Sequence, residues 1–178
     1  MLLTFGCAKA SGEGSAVGQV WAPDCGLEGR DYELNPSFFA LQPSLSVEII
    51  DIVVQRGSDY KSYSDGISVF IRDPDLVKET LLGTEIDLGG LGGLVEMNLY
   101  LNATFPGGDR IPVVYGAVSG TIRFDSLFVP WLDNDTEETA AVFTNVELVD
   151  QQDPLERRAV LDGDFRFLFE RGRPPQLF

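Results

Sequence analysis

The sequence predicts an all-β domain, an antiparallel β-sandwich or partly closed barrel with one short helix. Three observations carry this. Beyond residue 94, apolar and polar residues alternate with period two over most of the chain. Clusters of Gly, Pro, Asp and Asn punctuate the runs at short intervals. A single segment has both the start and the stop signal of a helix.

The first half of the chain is the less regular. Residues 18–21 and 32–41 are weak strand candidates. Residues 47–55 are rich in Ile and Val, with Glu48 and Asp51 on opposite parities. That pattern suits a central strand with a local kink, or one with apolar contact on both faces. Residues 66–72 form the next strand. The helix follows in residues 73–83: Asp73 caps it, Pro74 occupies its first turn and Gly83 stops it. Residues 88–94 are four glycines among three leucines. They read either as an apolar loop that touches a partner or membrane, or as a connector whose glycines permit unusual φ angles.

The clearest strand comes next. Val95, Met97, Leu99, Leu101, Ala103 and Phe105 share one parity, and Glu96, Asn98, Tyr100, Asn102 and Thr104 the other. Successive strand side chains point to opposite faces, whereas a helix would scatter these residues around its axis. Turn residues 106–110 lead into residues 111–115 and a second alternating run. Val118, Ile122, Phe124 and Phe128 share its apolar parity, and Gly120 between them marks a bulge or close crossing. In residues 141–149, Val142, Val146 and Leu148 are expected on one side. In residues 159–171, Phe165, Phe167 and Phe169 alternate with Arg166 and Glu170, after a bulge or turn at Asp162-Gly163. The pair Pro174-Pro175 ends regular structure.

Composition limits the chemistry. The 178 residues suit one domain, and 44% of them are hydrophobic, which argues for a packed core. There is no histidine, so triads and imidazole metal sites are excluded. The lysines are Lys9, Lys61 and Lys78. A net charge of −15 argues against a nucleic-acid partner and against an electrostatic grip on anionic lipid. It suits cations, basic partners or simple solubility. Two-carboxylate catalysis would require an acid with a strongly raised pKa inside a cleft.

Two candidate sites stand out in loops. Asp133, Asp135, Glu137 and Glu138 form the densest run of oxygen ligands, the chemistry calcium requires. The run departs from an EF-hand: Glu138 stands where glycine is required, and Thr144 where a bidentate Glu is expected. Tyr60 and Tyr63 offer rings and hydroxyls for a sugar or peptide. Trp21 and Trp131 are expected to pack at the core or sheet edge.

The start of the chain, Gly6-Cys7 followed by small and polar residues 8–15, resembles the lipidation site of bacterial lipoproteins. Thr4 departs from the leucine usual in that family, and no basic segment precedes it. The resemblance implies a lipid on Cys7, export to the cell envelope and a membrane contact made through that anchor alone. Residues 1–16 would then be anchor and tether, 17–173 the folded body and 174–178 a tail. Otherwise Cys7 and Cys25 could close a disulfide. The expected function is non-enzymatic: binding, adhesion or scaffolding with an envelope protein or glycan. A calcium-assisted carbohydrate-binding module is the alternative; no other cofactor is expected.

Overall fold

A computed structural model describes residues 11–23, 26–44, 46–57, 64–89, 91–101, 113–133 and 137–169. Its strands are β1 (Ser11–Ala22), β2 (Leu27–Leu34), β3 (Phe38–Ser44), β4 (Ile49–Gln55) and β5 (Gly66–Ile71), then β6 (Glu85–Asp87), β7 (Val95–Leu101), β8 (Val113–Ser126), β9 (Glu138–Asp150) and β10 (Arg158–Leu168). Between β5 and β6 lie α1 (Pro74–Leu76) and a π-helical turn (Val77–Leu81). All strands join one antiparallel sheet in the order β2-β1-β10-β9-β8-β7-β5-β4-β3, with β6 beside β8.

The sheet curls until its ends face each other, which realises the partly closed barrel rather than the sandwich. Strands β2 and β3 end the order, yet only residues 35–37 separate them in the chain. The ring of Phe39 on β3 lies 5.8 Å from that of Phe167 on β10. The Arg56 guanidinium, just past β4, donates to the Glu33 carbonyl of β2 at 2.8 Å. Side chains thus draw together ends that no strand ladder joins.

Alternation defines the concave face. β7 buries Val95, Met97, Leu99 and Leu101 and leaves the residues between them partly exposed, as its sequence pattern predicts. Ala103 and Phe105 lie outside the described residues. β5 contributes Ile67, Val69 and Ile71, β4 contributes Ile50, Ile52 and Val54, and β10 contributes Leu161, Phe165 and Phe167. Each such side chain contributes roughly 1.5–3 kcal/mol through burial. Phe169 stacks on Phe128 with ring centroids 4.8 Å apart. β4 also makes apolar contact on its other face, where Val53 packs in a small cluster with Phe38 and Ala40.

Two parity expectations are corrected, for one reason. Val118 is 46% exposed, while Tyr115 and Ala117 before it and Ile122 and Phe124 after it are buried. Gly120, with φ +104, sits in a stretch where the β8–β9 register shifts twice. A bulge inserts a residue, so the inward set changes from odd to even numbers. β9 changes likewise. Phe143 is buried and Val142 faces out, but beyond Asn145, with φ +50, Val146 and Leu148 are buried. The Asn145 amide donates to Asp162 Oδ1 at 2.7 Å, and β10 shifts register between Leu161 and Gly163. Irregularities thus sit side by side on three neighbouring strands.

A third correction concerns residues 11–16. Expected as tether, they form the first half of β1, paired with β10 from Ser11 opposite Leu168 onward. Their glycines serve close approach rather than looseness. A Cβ on Gly12 would stand 2.5 Å from Phe167 Cβ, and one on Gly14 would stand 2.6 Å from the Asp164 carbonyl oxygen.

The helix lies where its caps place it. The Asp73 carboxylate accepts from the Leu76 amide at 2.9 Å, and Gly83 ends the turn with φ +75. Pro74 and Val77 are buried. The Gly83 amide donates to the Phe124 carbonyl at 2.8 Å, which ties the turn to the end of β8.

Candidate functional site

Two places gather polar side chains: the acidic loop before β9 and a cleft on the outer face of the sheet.

In the acidic loop, two of the expected calcium ligands converge on a lysine. Lys78, in the π-turn, donates to Asp133 Oδ2 at 2.7 Å, to Glu137 Oε2 at 2.6 Å and to the Leu127 carbonyl at 3.0 Å. Asp133 Oδ2 also accepts the Val129 amide at 2.6 Å. Burial opposes the Lys78 charge, but the bonds to Asp133 and Glu137 outweigh it and raise the ammonium's pKa. Three acceptors thus surround a cation the chain supplies itself, and a metal ion there would have to displace it. Glu138 opens β9 opposite Leu168 of β10. Asp135 lies outside the described residues, as do Tyr60, Tyr63, Cys7 and Cys25. Among the described residues, no group of three or more Asp, Glu or Cys side chains gathers as metal ligands would.

The tryptophans pack, as their positions suggest. Trp131 Nε1 donates to Asp75 Oδ1 at 2.7 Å, and the Arg158 guanidinium lies 4.5 Å from the centre of the Trp21 ring.

The second place is a cleft of about 250 Å3 lined by Leu91, Glu96, Asn98, Gly116, Val118, Val149 and Gln151, with Met97 and Ala117 beneath. Alternation builds it. Glu96 and Asn98 are the outward residues of β7, and Gly116 of β8 pairs with Asn98 on one side and Val149 on the other. The missing side chain at Gly116 opens the floor: a Cβ there would meet nothing nearer than Asn98 Oδ1 at 3.6 Å and Gln151 Nε2 at 3.9 Å. The glycine-rich stretch supplies one lip, where Leu91 is 77% exposed. The β8 bulge supplies another, because it turns Val118 outward.

Glu96 is the carboxylate of this cleft, and its side chain is only 15% exposed. Its Oε1 accepts from Nε and Nη2 of Arg72 and, at 2.7 Å, from the Gly92 amide. Burial favours the neutral acid, but these donors prevail and hold the pKa below 4.5, so the group is a fixed anion near neutral pH. All three donors meet the same oxygen. Oε2 has no donor among the described residues.

Sequence reasoning placed Glu96 and Asn98 on the outer face and singled out the glycine-rich stretch. It missed Gly116 and Gln151, which carry no local signal. Val118 was assigned to the wrong face. No family model, curated protein or solved structure matches this chain.

Proposed function

We propose that this chain is a non-enzymatic binding domain of a bacterial exported lipoprotein, anchored through Cys7, whose outer-face cleft receives part of an envelope protein. The observation that carries the binding reading is the cleft carboxylate. Glu96 is pinned by Arg72 and Gly92 with a lowered pKa. A general acid needs the opposite, a raised pKa near the working pH. A fixed anion with one open oxygen suits recognition. Among the described residues, none of the side chains lining the cleft is aromatic, so they offer a sugar ring no stacking platform. That favours a protein partner over a glycan. The Gly6-Cys7 start supports the anchor.

The test is the intact mass of protein made in its native host, with detergent-phase partitioning. A mass beginning at Cys7 plus a diacylglycerol and a fatty acid, in the detergent phase, is expected. Unmodified Cys7 in the aqueous phase would overturn the anchor and, with it, the envelope assignment.

A further inference from the structure

We propose that the outer-face cleft takes the ammonium head of a lysine side chain from a basic protein partner, and that Glu96 Oε2 is its principal acceptor. This deepens the binding reading and is independent of the lipid anchor.

The argument begins with unused hydrogen-bonding capacity. A carboxylate has about four lone-pair positions on two oxygens. Here Oε1 takes two donors from Arg72 and one from Gly92, while Oε2 takes none among the described residues. The side chain is 85% shielded, and it stays ionised. Oε2 itself is not fully buried, so this ionised and otherwise largely shielded carboxylate can take an N–H donor there from outside. Asn98 and Gln151 line the same cleft and carry further carbonyl acceptors.

Charge and shape select the donor. The chain carries a net charge of −15, which draws cations toward it. Arg72 offsets Glu96 locally, so the attraction is moderate and screened by salt. A guanidinium binds carboxylates best through a two-pronged fork on both oxygens, and Arg72 already holds one of them. An ammonium is a point donor that needs a single oxygen. The apolar walls complete the match. Leu91, Val118 and Val149 would lie along the methylene stem of a lysine, which prefers apolar cover while its head is solvated. A cleft of about 250 Å3 has room for one such side chain and little more.

The test uses the intact chain, isotope-labelled, titrated with three N-acetylated, C-amidated tripeptides: Ala-Lys-Ala, Ala-Arg-Ala and Ala-Gln-Ala. Amide shifts of Gly92, Glu96 and Gly116 and side-chain shifts of Asn98 and Gln151 are read. The lysine peptide should give saturable shifts confined to the cleft, with a Kd near or below about 1 mM that weakens severalfold from 50 to 500 mM salt. Glu96→Gln should weaken it about tenfold or more. That variant also loosens Arg72, so Gly116→Val serves as the second. Its Cβ would meet nothing nearer than Asn98 Oδ1 at 3.6 Å, and its methyls would occupy the floor without removing the Glu96 carboxylate; it should abolish the shifts with Tm near that of wild type. Equal cleft shifts from the glutamine peptide would overturn the lysine assignment and leave the binding reading standing. Arginine binding as tightly as lysine would overturn the single-oxygen argument. No cleft shift from any peptide would overturn both the assignment and the cleft's role.

Discussion

Replacing Lys78 by Met tests the polar clasp that ties the helical turn to the loop before β9. Methionine keeps an unbranched stem and removes the ammonium. Asp133 is then left with a side chain only 6% exposed and the Val129 amide as a remaining donor. Breaking a fully buried pair by removing one partner costs about 3–5 kcal/mol. Lys78 is 20% exposed and Glu137 46%, so water screens part of the loss. About 2–3 kcal/mol is therefore expected, or about 4–12 °C in Tm for a domain of this size. Urea unfolding at neutral pH reads it directly. Glu137→Gln alone should cost less than about 0.5 kcal/mol, because its half of the clasp is open to solvent. The double variant Lys78→Met/Asp133→Asn should recover at least about 1 kcal/mol relative to Lys78→Met, since the buried carboxylate that lost the ammonium is then neutral. A loss below about 0.5 kcal/mol for Lys78→Met, or no recovery in the double variant, would refute the reasoning. The same clasp bears on calcium. With the ammonium in place, millimolar calcium should leave the wild-type Tm unchanged, whereas a rise would show that these acids bind it in the native state.

Further outcomes follow from the same packing. Gly120→Ala should cost about 2 kcal/mol or more in urea melts, because φ is +104 and the new Cβ would stand 2.6 Å from Val146 Cα. Gly116→Ala, on the same strand, should lie within about 0.5 kcal/mol of wild type or gain slightly; equal costs at the two sites would sink the bulge argument. Phe167→Ala should lose about 3–5 kcal/mol, since it removes the ring that meets Phe39 across the curled sheet. A loss near 1 kcal/mol would show that the sheet ends are held elsewhere. Burial and the nearby charge of Asp65 push the Tyr32 hydroxyl above its ordinary 10.0, against the opposing effect of Arg56. The folded state therefore holds that proton more tightly than the unfolded chain. Its stabilisation is complete below pH 10 and is lost as pH rises above it. Urea midpoints from pH 8 to 11.5 should fall at the alkaline end and fall less in Tyr32→Phe; identical profiles would exclude Tyr32 as the cause.

How much of this was legible from the chain depends on whether the signal was local. Alternation in β7 is a property of consecutive residues, and the same residues define both its buried face and the outward pair Glu96 and Asn98. The caps at Asp73 and Gly83 are likewise local, and the helical turn lies between them. Phe165 and Phe167 reach the core as their spacing predicts. Beyond the strand type, the bulges set the limit. Gly120 announces an irregularity, but whether it reverses parity depends on the register with β9, so Val118 and Val142 were placed on the wrong faces. Gly12 and Gly14 look like part of a flexible tether in sequence, and only the approach of β10 explains them. β6 is too short, with a single buried Ile86, to stand out from its loop.

The candidate sites divide along the same line. Composition by itself excluded imidazole chemistry and argued against a nucleic-acid partner, because those depend on residue types and total charge. The acidic run was visible, but the lysine that engages it lies 55 residues upstream of Asp133. The cleft joins the glycine-rich lip, the outer face of β7, a glycine on β8 and the end of β9, and only pairing brings these together. Periodicity therefore determined which residues face in or out along the unbroken strand β7, and on β8 and β9 only up to the bulges. The curl, the register at the bulges and the partners of each charge were decided by the tertiary structure, because each depends on contacts between residues far apart in the chain.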